Sequence, residues 1–168
     1  MNAARQSVVV KAPIDQVYEQ WSRVEELPKF ITPLRNVRRL DDAHFSYTWH
    51  PSGIEQRDVF HIVLRIPERR IAWRSTSDGF MSGVVSFEPR SNEDTEVTLK
   101  IRSIFDPPNL SRRLEEYLGN FKRLVENEET VSRQPSRSES EAEEVAMPDL
   151  LKEGFSFSKS VSLCGSFV

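Results

Sequence analysis

Asp58 is the first residue whose setting asks for a chemical explanation. It is followed by Phe60, Ile62, Leu64 and Ile66 in strict alternation. Successive side chains of a strand point to opposite faces, so Asp58 is expected on the same inward face as these apolar residues. A carboxylate there loses solvation, and its pKa rises unless a cation or hydrogen-bond donors pair with it. It could then serve as a general acid or base, or as an anchor for a ligand hydroxyl. A position at the sheet's rim, or a bulge that turns Asp58 outward, is the structural alternative. Phe45, Tyr47 and Trp49 alternate with His44, Ser46, Thr48 and His50, and the aromatics form the natural buried set. An inward Tyr47 could orient a ligand carbonyl. Trp73 and Ser75 share a face, Trp73 as core or cavity wall and Ser75 as a polar contact.

Other chemistries find less support. His44, His50 and His61 lack accompanying cysteines or a tight acidic cluster, so no metal site is expected and the histidines are assigned to the surface. His61 is expected on the wet face with Arg57 and Arg65. The chain has neither a nucleophile elbow nor a glycine-rich oxyanion loop for a Ser-His-Asp triad. A phosphate-binding glycine motif is likewise missing, and no cofactor is expected. Arg35, Arg38 and Arg39 lie together, and Arg57, Arg65 and Arg74 are expected to share the wet face. Such a face could contact RNA or another anionic surface.

These residues need elements to hold them. Ser7 to Lys11 is a β-branched run and reads as a strand. Pro13 suits the first turn of a helix, and Ile14, Val17, Tyr18 and Trp21 recur at helical spacing. Val24, Leu27, Phe30 and Ile31 predict a second short helix, interrupted or bent at Pro28. Six extended segments follow, at 34–40, 43–50, 54–66, 70–77, 83–88 and 96–105. Short turn-forming stretches separate them, so antiparallel neighbours are expected. Gly79 to Gly83 is a glycine-flanked apolar loop, read either as a flap over a cavity mouth or as a hairpin end. Asp106, Pro107 and Pro108 open a final helix whose stripe is Leu110, Leu114, Leu118, Phe121 and Val125, bordered by Tyr117 and Leu124. A sheet curled round one helix leaves space on its concave side, and a pocket there would be mostly apolar.

Composition sets the outer limits. The 168 residues carry 23 Lys and Arg against 26 Asp and Glu, with three His and one Cys. A single Cys164 excludes an intramolecular disulfide framework and a four-cysteine zinc site. No apolar run approaches the roughly 20 residues of a transmembrane helix, and the first residues lack the apolar stretch of a secretory signal. A cytoplasmic, reducing environment is therefore expected. The balanced charge gives no reason to invoke DNA. Residues 1–129 are expected to form the domain, and 130–168, rich in Ser and Glu, a disordered tail. The alternation from Phe155 to Leu163 allows a strand added to a sheet edge, although a disordered tail is the simpler expectation.

Taken in order, Val10-Lys11-Ala12-Pro13 with Val17 to Trp21, Leu27-Pro28-Lys29-Phe30, Arg70 to Ser75, Gly83 to Phe87, Thr95-Glu96-Val97 and Phe121 to Glu126 resemble a known family. It is the START-like (SRPBCC, helix-grip) superfamily, and within it the polyketide cyclase/dehydrase and coenzyme-Q-binding START-domain group. The resemblance implies an α+β helix-grip fold: a curved seven-stranded antiparallel sheet wrapped round a long C-terminal helix, with two short helices after strand 1. Alignment to the family also admits the opposite register in the third strand, with Ser46 and Thr48 inward.

The function it implies is binding of a quinone, lipid or polyketide-like molecule in an internal cavity, for sequestration or transfer. One alternative is a cyclase or dehydrase using Asp58 as acid or base. The other is a ribosome- or protein-interaction module acting through the arginine face. The residues expected to line the cavity are Phe30, Tyr47, Trp49, Asp58, Phe60, Trp73 and Ser75, followed by Met81, Phe87, Leu99, Leu114, Tyr117, Leu118 and Phe121.

Overall fold

Nine residues at the start of the chain, Asn2–Val10, form strand β1 in a computed structural model that describes residues 2–50, 53, 55–77, 81–103 and 109–132. The strand begins five residues before its β-branched run. Its whole length pairs with the partner strand, from Asn2 opposite Ser103 to Val10 opposite Thr95. Those ladder bonds hold Ala3 to Gln6 extended although their own propensity is low.

Helix α1 (Ile14–Ser22) follows. Pro13 stands at its cap with Asp15 in the first turn, where a negative charge meets the positive helix end. A 3₁₀ helix, Val24–Lys29, contains Pro28. Next come β2 (Leu34–Arg39), β3 (His44–Trp49), β4 (Gln56–Ile66), β5 (Arg70–Ser75), β6 (Met81–Pro89), β7 (Thr95–Ser103) and helix α2 (Leu110–Ser132). All seven strands form one antiparallel sheet in the order β1-β7-β6-β5-β4-β3-β2. Strands β2 to β7 are a meander. The two short helices carry the chain from one edge of the sheet to the other. The expected helix-grip architecture is the observed one.

Strand β7 shows how the sequence selects its dry face. Val97, Leu99 and Ile101 are buried, while Lys100 and Arg102 are exposed. On α2, Leu114, Tyr117, Leu118, Phe121 and Val125 are buried, the stripe that its period predicts. Polar contacts fix this helix lengthwise. Gln6 Nε2 donates to Ser111 Oγ at 2.7 Å, Lys122 Nζ to the Val9 carbonyl at 2.7 Å, and the Lys11 amide to Glu126 Oε1 at 3.0 Å. Asn120 Nδ2 donates to the Phe30 carbonyl at 3.1 Å, joining α2 to the end of the 3₁₀ turn.

One alternation breaks. A register shift between Ile62 and Leu64 puts Leu64 opposite Ala72, Arg65 opposite Ile71 and Ile66 opposite Arg70. An extra residue in one strand reverses every face beyond it. Phe60 and Ile62 are inward as expected, but Leu64 and Ile66 are not, and both are exposed. Arg65 shares the side of Ile71, so it leaves the face that carries Arg57, His61 and Arg74. The Asp106–Pro108 helix start, the loop through Phe80 and the tail from residue 133 lie outside the described residues.

Candidate functional site: an apolar cavity with a carboxylate at its edge

Between the inner face of the sheet and the helices lies a cavity. Strands β3 to β7 contribute Tyr47, Trp49, Phe60, Ile62, Ile71, Trp73, Ser75, Met81, Val85 and Ile101. The opposite wall comes from Trp21 of α1, Val24 and Leu27 of the 3₁₀ helix, Ile31 just after it and Tyr117 of α2, while Leu34 of β2 adds to the sheet side. Its volume is about 60 Å³, traced by the centres of water-sized spheres. Leu27, Trp49, Ile62, Trp73 and Met81 are only partly buried and mark the side on which the cavity opens.

The wall is shaped by cross-strand pairs. Phe45 lies opposite Phe60, with rings 5.6 Å apart, and Tyr47 packs on Phe60 at 5.1 Å. This settles the register of β3 with the aromatics inward, since Phe45 and Tyr47 are both 4% exposed. Trp73 faces Gly83 across the β5–β6 ladder. A Cβ built on Gly83 would come within 2.2 Å of the Trp73 indole. Glycine at 83 is therefore what lets the indole lie flat on the neighbouring strand, as one plate of the wall.

Asp58 sits opposite Tyr47 on this inner face and forms the polar edge of the site. Its Oδ2 accepts from Ser77 Oγ at 2.6 Å, from Ser75 Oγ at 2.7 Å and from the Tyr47 hydroxyl at 3.4 Å. Its Oδ1 accepts from the Val59 amide at 2.7 Å. Burial pushes the carboxyl pKa up, but these four donors more than reverse the effect and hold it below the usual carboxylate value. Burial together with the Asp58 charge pushes the Tyr47 phenol well up, so it stays protonated and donates. Asp58 is thus inward yet at the margin: it grips two lining residues without itself lining the cavity.

Seven of the expected lining residues surround the cavity: Tyr47, Trp49, Phe60, Trp73, Ser75, Met81 and Tyr117. Six others are core instead. Phe30, Leu99, Leu114, Leu118 and Phe121 are almost wholly enclosed, and Phe87 packs edge-on against Tyr18 at 5.6 Å. Phe30 and Phe121 form a three-ring cluster with Trp21. Trp21, Val24, Leu27, Ile31, Leu34, Ile62, Ile71, Val85 and Ile101 also line the cavity, although the sequence did not mark them as lining residues. The alternation of β5 to β7 contains the signal for three of them, because Ile71, Val85 and Ile101 share the inward period. Among the described residues no group of three His, Cys, Asp or Glu gathers as a metal site. His44 and His61 instead stack on each other, 4.5 Å apart, on the outer face.

This architecture recurs in known proteins. A crystal structure of DR_A0006 from Deinococcus radiodurans superposes with a TM-score of 0.63 at 30% identity, covering 73% of this chain and 95% of the other. The ZhuI aromatase/cyclase from Streptomyces sp. R1128 gives 0.63 at 17% identity, over 74% and 93% of the two chains. A START superfamily protein from Mycobacterium smegmatis gives 0.60 at 13%, over 75% and 95%. In sequence, a 17.2 kDa protein encoded in the melC2–rnhH intergenic region of Streptomyces lincolnensis is 24% identical over 129 residues, 76% of this chain and 85% of that one. The model of one family matches residues 10–128, nearly the whole of the sheet and its helices. The chain is a member of the polyketide cyclase/dehydrase and lipid transport family.

Proposed function

We propose that this protein binds a largely apolar or aromatic small molecule, of quinone, lipid or polyketide type, in the cavity between the sheet and its helices, and sequesters or transfers it in the cytoplasm. The observation that carries the proposal is the lining itself: aromatic and aliphatic side chains throughout, with the polar groups of Tyr47 and Ser75 turned to Asp58. Apolar surface removed from water contributes roughly 25 cal/mol per Å², so such a wall favours any flat hydrophobic guest that fits. The guest must widen the space, and the partly buried Met81, Leu27 and Trp73 are the side chains with freedom to yield.

Proton transfer by Asp58 has weaker support. A general acid working near neutral pH needs a raised pKa, and a general base needs one near the working pH. The four hydrogen bonds lower that of Asp58. Its environment suits a fixed hydrogen-bond acceptor better than a proton carrier.

Titration with 1-aminoanthracene, whose fluorescence rises in apolar surroundings, tests the binding function. One site per chain is expected. Met81→Trp should lower affinity about tenfold by filling the cavity, because Met81 is a partly buried lining residue and a larger ring there takes up the guest's space. A probe that fails to bind, or that ignores this substitution, would place any binding elsewhere.

A further inference from the structure

The hairpin that joins β4 to β5 leaves aliphatic side chains in water. Val63, Leu64 and Ile66 are 48%, 39% and 39% exposed. Every residue from Val63 to Arg70 is exposed, and the run reads Val-Leu-Arg-Ile-Pro-Glu-Arg-Arg. The register shift after Ile62 turns Leu64 and Ile66 outward, onto the face of Ala72 and Arg70. Strand β3 offers no cover, because its ladder with β4 ends at the His44–His61 pair. A cluster of exposed aliphatic residues rimmed by polar groups marks an interaction site.

Charge narrows the choice of partner. Arg65, Arg69 and Arg70 interleave with the aliphatic residues, and Glu68 is the one carboxylate of the run. Exposed Arg74, Lys100, Arg102 and Arg5 continue the positive charge over the outer face of β5, β7 and β1. Glu88 and Glu96 lie opposite each other on that face, and Glu96 pairs with Arg90. Among the described residues none of Arg65, Arg69 and Arg70 has an ion-pair partner. A second copy of this hairpin would bring like charges together. A nucleic acid would find no aromatic ring in the run to stack on. A bilayer with anionic headgroups matches both features, since aliphatic tips enter the acyl boundary while arginines reach the lipid phosphates.

We propose that the β4–β5 hairpin docks on an anionic lipid bilayer, with Leu64 and Ile66 entering the headgroup layer and Arg65, Arg69 and Arg70 meeting lipid phosphates. None of these five residues lines the cavity, so the docking surface is separate from it. The base of the hairpin is cavity wall, because Ile62 and Trp73 pair across it and both line the cavity. Four residues of strand, about 13 Å, separate Ile62 from Ile66. A docked hairpin therefore holds that wall close to the lipid.

Flotation of the full chain with phosphatidylcholine vesicles, with and without about 30% phosphatidylglycerol, tests the proposal. Anionic vesicles are expected to bind at least about tenfold better than neutral ones, and most of that gain should vanish in about 0.5 M salt. Leu64→Ser with Ile66→Ser should weaken anionic binding about tenfold. Arg69→Gln with Arg70→Gln should weaken it about thirtyfold, roughly fivefold for each charge removed. Both double variants should keep the 1-aminoanthracene site of the cavity, which also shows that they fold. Equal binding to the two vesicle types, or anionic binding that survives both double variants, would overturn the proposal. So would a protein that ignores vesicles but is retained by poly(U) RNA, or forms dimers that the serine variant dissolves. If 1-aminoanthracene fails to bind the unaltered protein while anionic vesicles still do, the cavity function falls and the docking surface stands.

Discussion

Asp58 shows how the same side chain can be read correctly for direction and incompletely for chemistry. Alternation along β4 places it inward, and inward it is. Nothing local to residue 58 reveals that hydroxyls from residues 47, 75 and 77 converge on it, because each comes from another strand or its end. Those donors decide its ionisation. A carboxyl whose folded pKa lies below its unfolded value near 3.9 contributes stability that is present above that value. The contribution is lost as pH falls through the lower, folded value. Asp41, held at about 2 by the Ala43 amide and His44, adds to the same acid-side loss. Asp58→Asn is therefore expected to cost about 1 kcal/mol at pH 7, since its hydrogen bonds to a charged group are only partly shielded from water. The gap between variant and parent should narrow as pH falls below about 4. Urea unfolding at pH 7, 4 and 3 measures this; a gap that widens in acid would show that Asp58 is held neutral.

At the scale of elements, the strands that carry the site were legible where one face is dry and the other wet. Strand β7 and helix α2 are the clearest cases. The β4 bulge was not legible, since a bulge depends on what the partner strand offers rather than on local pattern. Its consequence is concrete: Leu64 and Ile66 leave the inner face, and Arg65 leaves the arginine face. The split between cavity wall and packed core was also hidden. Phe30 and Tyr47 are equally apolar in setting, yet only the register of their elements decides which meets the cavity. The Trp73–Gly83 pair is where two strands jointly build the wall. Gly83→Ala should force the indole away and cost about 1–3 kcal/mol in overpacking. Combined with Trp73→Leu, which removes the obstruction, most of that cost should vanish, a coupling that a double-mutant cycle reads directly. Strictly additive losses would mean that the indole does not rest on residue 83.

For the whole molecule, the fold follows from a simple geometric demand. A seven-stranded antiparallel sheet of this curvature has a dry concave face larger than one helix can cover. Helix α2, the 3₁₀ turn and the ring cluster of Trp21, Phe30 and Phe121 close one part of it, and the remainder is the cavity. Among the described residues no helix is long and apolar enough to cross a membrane; α2 spends its apolar stripe on the sheet instead. The central claim is that this remaining space is the working part of the protein. The most direct test is native mass spectrometry of the protein purified gently from its own host, with solvent extraction of anything it carries. One bound apolar molecule per chain, released by organic solvent, is the predicted result. A bare polypeptide mass that stays bare after lipid-rich extract is added back would contradict it.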